Sequence, residues 1–276
     1  MKTVILTGKQ GNQKALSNRI AEICEVSALV LSDNIPKKKP GLVTRAQILS
    51  NRIANRMVGR RLVDVWERLL ADYDQRYAEF PNAPILRVEN INSEAVVKLL
   101  ESQSPDLIIV SGTNLIGKRI INLAERAKGI INLHTGISPY VKGGPNCTNW
   151  CLAKNWYHLI GSTVMWLDSG IDSGRIIATE RAPLTGNETL LDLHQKVMEH
   201  AHDLYLRVIQ KISGGEKLPS VRQDSIGGGN LFLTKDWNAW HMRSAVHNFD
   251  RRYRLFFQDI ESVRRKSEDL QLVSMD

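Results

Sequence analysis

The first half of the chain alternates short apolar runs with amphipathic stretches, and this alternation limits the fold more than any other feature. The run TVILTG is followed by NQKALSNRIAEICE, in which apolar residues recur at helical spacing, and then by VSALVLSD. Three further runs, APILRVENI, PDLIIVSG and GIINLH, are separated by helices predicted at 93–101 and 118–128. Strands that alternate with helices are typical of parallel sheets. We therefore predict a doubly wound, Rossmann-like α/β fold with a mostly parallel sheet.

The second half of the chain contains one more predicted pair of strands and one long helix. Residues 161–180 read as two strands around a turn rich in Gly, Ser and Asp, and 186–212 is strongly helical with Asn187 as its N-cap. A helical pattern at about 44–77 interrupts the alternation, so we interpret it as an insertion. We predict a catalytic domain at 1–213 that carries this insertion, followed at 214–276 by a loop and a helical C-terminal appendage.

The chain of 276 residues is basic, with a net charge of +8 and an isoelectric point near 9.4. This charge favours anionic partners such as phosphorylated metabolites, folate glutamates or nucleic acid. No stretch approaches the ~18 consecutive apolar residues of a membrane span, so we expect no membrane partner. The N-terminal apolar run reads as a strand rather than a signal peptide, and three sparse cysteines fit a reducing compartment. We therefore expect a cytoplasmic protein.

Asn132 and His134 lie at the end of the apolar run GIINLH, directly before a loop rich in Gly and Pro. Residues two apart on a strand project from the same face, so both side chains can meet one substrate. Histidine is the usual general acid or base near neutral pH, and an asparagine amide donates a hydrogen bond to an oxyanion without titrating. By itself, such a pair is more often structural than catalytic. A third group is needed to orient the imidazole, and the turn DSGIDSG offers Asp168 and Asp172.

The order and spacing of these residues resemble those of the formyltransferases that use 10-formyltetrahydrofolate. The shared features, in chain order, are the strand end Asn132-Leu-His134, a loop with Pro139 and Lys142-Gly143, and the acidic turn that ends at Asp172-Ser-Gly174. The resemblance is good over about 107–184, loose in the N-terminal sheet and faint beyond about 213. It implies an enzyme with the fold of that family and with 10-formyltetrahydrofolate as its co-substrate.

The resemblance also implies catalytic roles. An amine would attack the formyl carbon on N10 of the folate, and Asn132 with protonated His134 would stabilise the tetrahedral oxyanion that forms. Asp172 would keep His134 charged and position a water that relays protons between the amine and the departing N10. No metal is implied.

For the folate, the resemblance implies a site at the carboxyl ends of the strands. Leu115 and Ile116 match the family's apolar contacts to the pterin. Asp168 matches the earlier acidic position of the folate-binding turn and is not the catalytic aspartate. An apolar slot with a few polar groups suits a flat heterocycle.

Two loops are predicted to contact the acceptor. The first turn, LTGKQGNQ, places Gly11 and Asn12 between a strand and a helix, where backbone N–H groups can bind a phosphate; an ordinary tight turn is the alternative. The second is the loop after His134, where this chain has Thr-Gly-Ile-Ser-Pro instead of the Pro-Ser-Leu-Leu-Pro of many family members. It also has Lys142 where those members have arginine. This altered lining leaves the identity of the acceptor open.

The resemblance leaves several functions open. The arrangement is closest in outline to sugar N-formyltransferases, so the first hypothesis is formyl transfer to the amine of a small, phosphorylated or nucleotide-linked molecule such as an amino sugar nucleotide. Glycinamide ribonucleotide and methionyl-tRNA formyltransferases are alternatives, as is a formyltetrahydrofolate hydrolase. The short helical segment after 213 counts against tRNA and hence against a nucleic-acid partner. A folate- or RNA-binding module is the non-enzymatic alternative, and the oligomeric state is open, with a homodimer among the choices.

Overall fold

The computed structural model of the chain describes residues 1–33, 46, 49, 50, 53, 57–144 and 146–275. Its strands are β1 (Lys2–Thr7), β2 (Glu25–Ser32), β3 (Ile85–Val88), β4 (Leu107–Ser111), β5 (Ile130–His134), β6 (Val141–Gly143), β7 (Gly161–Trp166), β8 (Ile176–Arg181) and β9 (Asn230–Phe232). Its helices are α1 (Gly11–Ala21), α2 (Arg60–Arg76), α3 (Glu94–Gln103), α4 (Lys118–Ala124), α5 (Cys147–Lys154), α6 (Leu190–Ser213), α7 (Ala239–Asn248), α8 (Arg254–Gln258) and α9 (Ile260–Glu268). Within the described part of the chain, no helix is long and apolar enough to cross a membrane.

A seven-stranded sheet forms the centre, in the order β3-β2-β1-β4-β5-β7-β8. The strands β1 to β5 run parallel, whereas β7 pairs antiparallel with β5, and β8 with β7. The predicted doubly wound, mostly parallel sheet is confirmed. The chain places β2 and β4 on opposite sides of β1, so the strand order reverses between β1 and β4. Folds of this kind bind ligands in a crevice at the carboxyl ends of the strands at such a point.

Both faces of the central sheet are buried. On β1, Val4 and Leu6 pack with Val96 of α3, whereas Ile5 packs with Leu16 of α1 and with residues of α6. Neighbouring residues on a strand point to opposite faces, which explains why the inner strands β1, β2 and β4 contain continuous apolar runs rather than alternating ones. Burial of the sheet holds the strand ends, and therefore the polar residues on them, in fixed positions.

The long helix α6 begins two residues later than the sequence pattern predicts. Thr189, and not Asn187, is its N-cap, because Thr189 Oγ1 accepts a hydrogen bond from the Asp192 backbone N–H at 3.1 Å. The Asp192 carboxylate in turn accepts from the Thr189 backbone N–H at 3.0 Å. This reciprocal capping box satisfies two N–H groups that would otherwise have no partner, which the Asn187 side chain does not do here.

The predicted insertion at about 44–77 is helical over α2, and most of its first half, including Ile48, lies outside the described residues. Leu62, Leu69 and Tyr73 of α2 are buried, so α2 packs on the body of the protein. It crosses the start of α1 closely, since a Cβ on Gly11 would lie only 2.5 Å from the Leu70 carbonyl oxygen. The close crossing explains why a glycine occupies position 11.

The C-terminal segment is mostly helical, as predicted, but it also contains β9. This strand pairs in parallel with β6 and was missed, because three residues are too few for a recognisable alternation. Trp237, Met242 and Tyr253 share one hydrophobic cluster with Trp150 of α5 and Leu193 of α6. This shared cluster packs the predicted catalytic domain against the predicted C-terminal appendage. The domain boundary at 213 stays a prediction.

Glu188 joins the loop before α6 to the C-terminal segment. Its side chain is almost fully buried and accepts hydrogen bonds from the Gly186 backbone N–H, Tyr253 Oη and Lys196 Nζ at 2.7 to 2.8 Å. Burial opposes ionisation, but these donors outweigh it and lower the pKa of Glu188 well below its ordinary 4.5.

We expect Glu188→Gln to lower the free energy of unfolding at pH 7 by about 2 to 3 kcal/mol, since hydrogen bonds to charged groups carry this much. A depressed pKa stabilises the fold fully above its ordinary value, so the difference between wild type and variant should shrink as the pH falls below 4.5. Urea unfolding at several pH values measures this. Glu261→Gln, at an exposed glutamate, is the matched control and should change little.

Candidate active site

The three residues predicted to act together lie side by side on β5 and the turn that follows β7. His134 Nδ1 is 3.3 Å from Asp172 Oδ2, and Asn132 Nδ2 is 3.5 Å from Asp172 Oδ1. Asn132 and His134 lie at the carboxyl end of β5, directly before a Gly-rich loop, and Asp172, 40 positions after Asn132, reaches both. The fold therefore assembles an amide, an imidazole and a carboxylate at one point.

The backbone around Asp172 is held in an unusual conformation. Its φ is +45°, in the left-handed region that aspartate tolerates better than most residues. The Gly143 backbone N–H donates to Asp172 Oδ2 at 2.9 Å, and Gln223 Nε2 donates to the carbonyl oxygens of Asp172 and Gly174 at 2.7 and 2.8 Å. These bonds fix the direction in which the carboxylate points. Sequence reasoning missed Gln223, because no spacing pattern links it to a turn 51 positions earlier.

His134 is 7% exposed and lies between acceptors. Its Nε2 is 2.9 Å from the Val141 carbonyl oxygen and 3.6 Å from Cys147 Sγ, while Nδ1 faces Asp172. Burial opposes a charged imidazole, but the Cys147 sulfur, the Asp172 carboxylate and the Val141 carbonyl favour it, so the pKa of His134 is raised above its ordinary 6.5. With an acceptor at each ring nitrogen, His134 is held as the imidazolium at neutral pH.

A narrow cleft of about 100 Å³ opens directly beside this trio. Asn132 and Asp172 line it, whereas the buried His134 contacts Asp172 and the Val141 carbonyl oxygen. Three residues predicted to bind folate line the same cleft: Leu115, Ile116 and Asp168. Ile116 is buried and Leu115 is largely exposed, so the two form an apolar wall and its rim.

A wider cleft of about 680 Å³ continues from the narrow one. The two share four lining residues, Leu167, Asp168, Ser173 and Gly174. The wider cleft adds the cationic side chains Lys142, Arg175 and Arg222 together with the glycines at 227–229. Arg222 is paired with Asp224 at 2.6 Å, and Arg175 Nε donates to Ser220 Oγ at 3.0 Å. The predicted substrate residue Lys142 therefore lies beside the trio, on the side of the positive charges.

The other two predicted substrate residues, Gly11 and Asn12, line neither of these clefts. Gly11 lies under the backbone of α2, and the Asn12 side chain is buried, with Nδ2 3.8 Å from Met198 Sδ. These contacts fit the alternative of a packed turn better than a phosphate site. Binding of the acceptor by Gly11 and Asn12 stays a prediction without a contact in its favour.

Comparison with known proteins identifies the family of this chain. The model of the formyl transferase family matches residues 1–209, about three quarters of the chain. The chain is a member of the formyl transferase family. The family predicted from the Asn-x-His and Asp-Ser-Gly pattern is therefore confirmed.

The similar members of the formyl transferase family include enzymes of several kinds. Methionyl-tRNA formyltransferase from Syntrophus aciditrophicus (strain SB) is 28% identical over 154 residues, 55% of this chain and 48% of that protein. The chain thus spans about half the length of the curated relatives it matches.

Solved structures show the same fold. Phosphoribosylglycinamide formyltransferase from Anaplasma phagocytophilum aligns over 79% of this chain and 90% of its own, with a TM-score of 0.53 and 18% identity. A sugar N-formyltransferase from Shewanella sp. FDAARGOS_354 aligns over 89% and 88%, with a TM-score of 0.55 and 14% identity. The N-formyltransferase from Helicobacter canadensis, in complex with folinic acid and dTDP-3-aminofucose, aligns over 90% and 81%, with a TM-score of 0.54 and 16% identity.

Gly136 makes room for His134. A Cβ at this position would lie 2.5 Å from His134 Nε2 and 2.7 Å from the Val141 carbonyl oxygen. We expect Gly136→Ala to displace the imidazole and to lower kcat about 100-fold, because small misplacements of a catalytic group can have this effect. Formyl transfer kinetics with a thermal unfolding control would measure it. The matched variant is Gly144→Ala in the same loop, where a Cβ meets nothing within 4 Å and where activity should stay at the wild-type level.

Proposed function

We propose that this protein is an N-formyltransferase, which moves the formyl group of 10-formyltetrahydrofolate to the amine of a small, phosphorylated or nucleotide-linked acceptor such as an amino sugar nucleotide. The observation that carries the proposal is the contact of Asn132, His134 and Asp172 beside a cleft with an apolar wall. Membership of the formyl transferase family supports the reaction class and the co-substrate.

The residues present can perform this reaction without a covalent enzyme intermediate. The amine nitrogen forms a bond to the formyl carbon, and the carbonyl electron pair moves onto oxygen, where the Asn132 amide donates a hydrogen bond to it. The amine passes its proton by way of the Asp172 carboxylate to N10 of the folate. The electron pair on oxygen then re-forms the carbonyl as the bond between N10 and the formyl carbon breaks, so that tetrahydrofolate leaves and the acceptor carries a formamide.

His134 acts in this scheme through Asp172. Its charged ring, with Nδ1 3.3 Å from Asp172 Oδ2, holds the carboxylate in place beside Asn132 and the narrow cleft. Direct contact of His134 with the oxyanion stays a prediction, because both ring nitrogens face protein acceptors in this structure.

The two connected clefts suit the two ends of the folate. The narrow cleft beside Leu115, Ile116 and Asn132 suits the flat pterin, which buries both faces against apolar side chains. The glutamate end carries carboxylates, and the wider cleft offers Lys142, Arg175 and Arg222 to them. On this view Lys142 contacts the folate rather than the acceptor.

The acceptor class is supported by the Helicobacter canadensis enzyme, whose solved complex holds dTDP-3-aminofucose with folinic acid. A methionyl-tRNA acceptor is the second candidate, because the curated relatives that match this chain include several methionyl-tRNA formyltransferases. Exposed arginines near the C-terminus, among them Arg251, Arg254 and Arg264, could contact a phosphate backbone.

A parallel acceptor assay tests the proposal. The protein and 10-formyltetrahydrofolate are incubated with amino sugar nucleotides, glycinamide ribonucleotide and charged initiator tRNA, and products are read by mass spectrometry. We expect a formyl group on an amino sugar nucleotide. Formylation of the charged tRNA alone would favour the second candidate, and release of formate at the same rate without any acceptor would favour a hydrolase.

A further inference from the structure

A separate cavity of about 440 Å³ lies across α5 from the active site. Cys147, at the start of α5, contacts His134, whereas Asn149 and the N-cap Asn146 line this cavity. Residues two apart on a helix project about 200° apart, so Cys147 and Asn149 face opposite sides of α5. The active site and the cavity therefore lie on opposite sides of α5, about one helix diameter, ~10 Å, apart.

The walls of the cavity come from the two segments that the family resemblance left without a role. α2, from the predicted insertion, supplies Leu62, Val63 and Trp66, and the C-terminal segment supplies Trp237 and Met242. The volume falls in the usual range of small-molecule sites, roughly 300 to 1,000 Å³. The insertion and the appendage thus meet around one ligand-sized space.

Two polar side chains that line this cavity make few or no hydrogen bonds to the described residues. No hydrogen bond joins His194, which is 5% exposed, to a described residue, and the buried Asn149 Oδ1 accepts from no described donor. Burial lowers the pKa of His194 to about 4, so its ring is neutral at physiological pH and offers one donor and one acceptor. Buried polar groups are normally hydrogen-bonded, so a group without a partner favours a ligand that supplies one. A ligand with a donor and an acceptor could bond to these side chains.

The chemistry of the lining selects the ligand. Indole and aliphatic side chains suit a flat ring, and the neutral His194 with the Asn149 amide suits ring N–H and C=O groups. Among the described residues that line the cavity none is a lysine or arginine, and Glu67 at its rim repels phosphate. We propose that this cavity binds the uncharged heterocyclic base of a nucleotide-linked acceptor, a proposal that rests on the formyl transfer proposed above.

Direct binding measurements test this assignment independently of catalysis. We would titrate the full chain by calorimetry with dTDP, UDP, CDP, ADP and GDP, and with ribose 5-phosphate, which carries a phosphate but no base. We expect at least one nucleotide to bind clearly more tightly than ribose 5-phosphate. His194→Leu and Trp66→Ala should each raise the Kd of that nucleotide about tenfold or more, which corresponds to a loss of about 1.4 kcal/mol of binding free energy. Trp240→Ala, at a tryptophan of α7 that is 65% exposed, is the control and should bind as the wild type does.

The outcomes separate this inference from the proposed function. Thermal unfolding checks that each variant is folded. If His194→Leu is unfolded, Trp66→Ala alone tests the base site. Equal binding of ribose 5-phosphate and nucleotides, or unchanged affinity in both cavity variants, would overturn the base site. If nucleotides bind as expected but no acceptor in the parallel assay is formylated, the proposed function fails and the base site stands. If formyl transfer occurs and the cavity variants leave the KM of the acceptor unchanged, the base site fails alone.

Discussion

Asp172→Asn is expected to lower kcat for formyl transfer about 10³-fold, within the range that proton transfer by a positioned side chain contributes. The asparagine keeps the size of the side chain and tolerates the left-handed backbone at this position, so the fold should be retained. It has no negative charge to accept the amine proton. It also removes a charge that favours the imidazolium of His134, whose pKa should then fall toward its ordinary value.

Steady-state kinetics with saturating folate and acceptor would measure the effect of Asp172→Asn. The control is Asp250→Asn, which removes a carboxylate that is paired with Arg61 at 2.7 Å, outside both clefts. A fall in kcat of similar size in both variants would indicate a general effect on stability. A wild-type rate in Asp172→Asn would remove Asp172 from the proton path.

Asn132→Ala is expected to lower kcat about 10²- to 10³-fold, the effect of removing one hydrogen-bond donor from an oxyanion site. Because the amide acts mainly in the transition state, KM for the folate should change much less than kcat. The exposed Asn187→Ala is the control. A large rise in KM with an unchanged kcat would instead assign Asn132 to ground-state binding of the folate.

Much of the fold could be predicted because its signals are local. The inner parallel strands β1, β2 and β4 contain continuous apolar runs that are buried on both faces, and the helices between strands have their own apolar stripes. The choice between two nearby N-cap residues is less visible in a sequence, and the structure has Thr189 rather than Asn187 as the N-cap of α6. The pairing of β6 with β9 depends on two short segments far apart in sequence, so no local pattern could indicate it.

The site shows the same division. Asn132 and His134 were predictable from a polar strand end, and Asp172 from its place in a family pattern. Cys147 contacts His134 and Gln223 contacts Asp172 in the folded chain, but neither residue belongs to a sequence motif that would have predicted the contact. Gly11 and Asn12 belong to a turn that resembles a phosphate site, but α2 packs against Gly11, and the insertion pattern alone did not reveal where that helix would lie.

The central claim is that Asn132, His134 and Asp172 move a formyl group from folate to an amine. The most direct measurement follows an isotopically labelled formyl carbon by NMR, with wild type and Asp172→Asn side by side, in the presence of the acceptor identified in the parallel assay. The account predicts that wild type moves the label from 10-formyltetrahydrofolate to the acceptor amide and that the variant leaves it on the folate. Equal transfer by both proteins, or a label that appears as free formate regardless of acceptor, would contradict it.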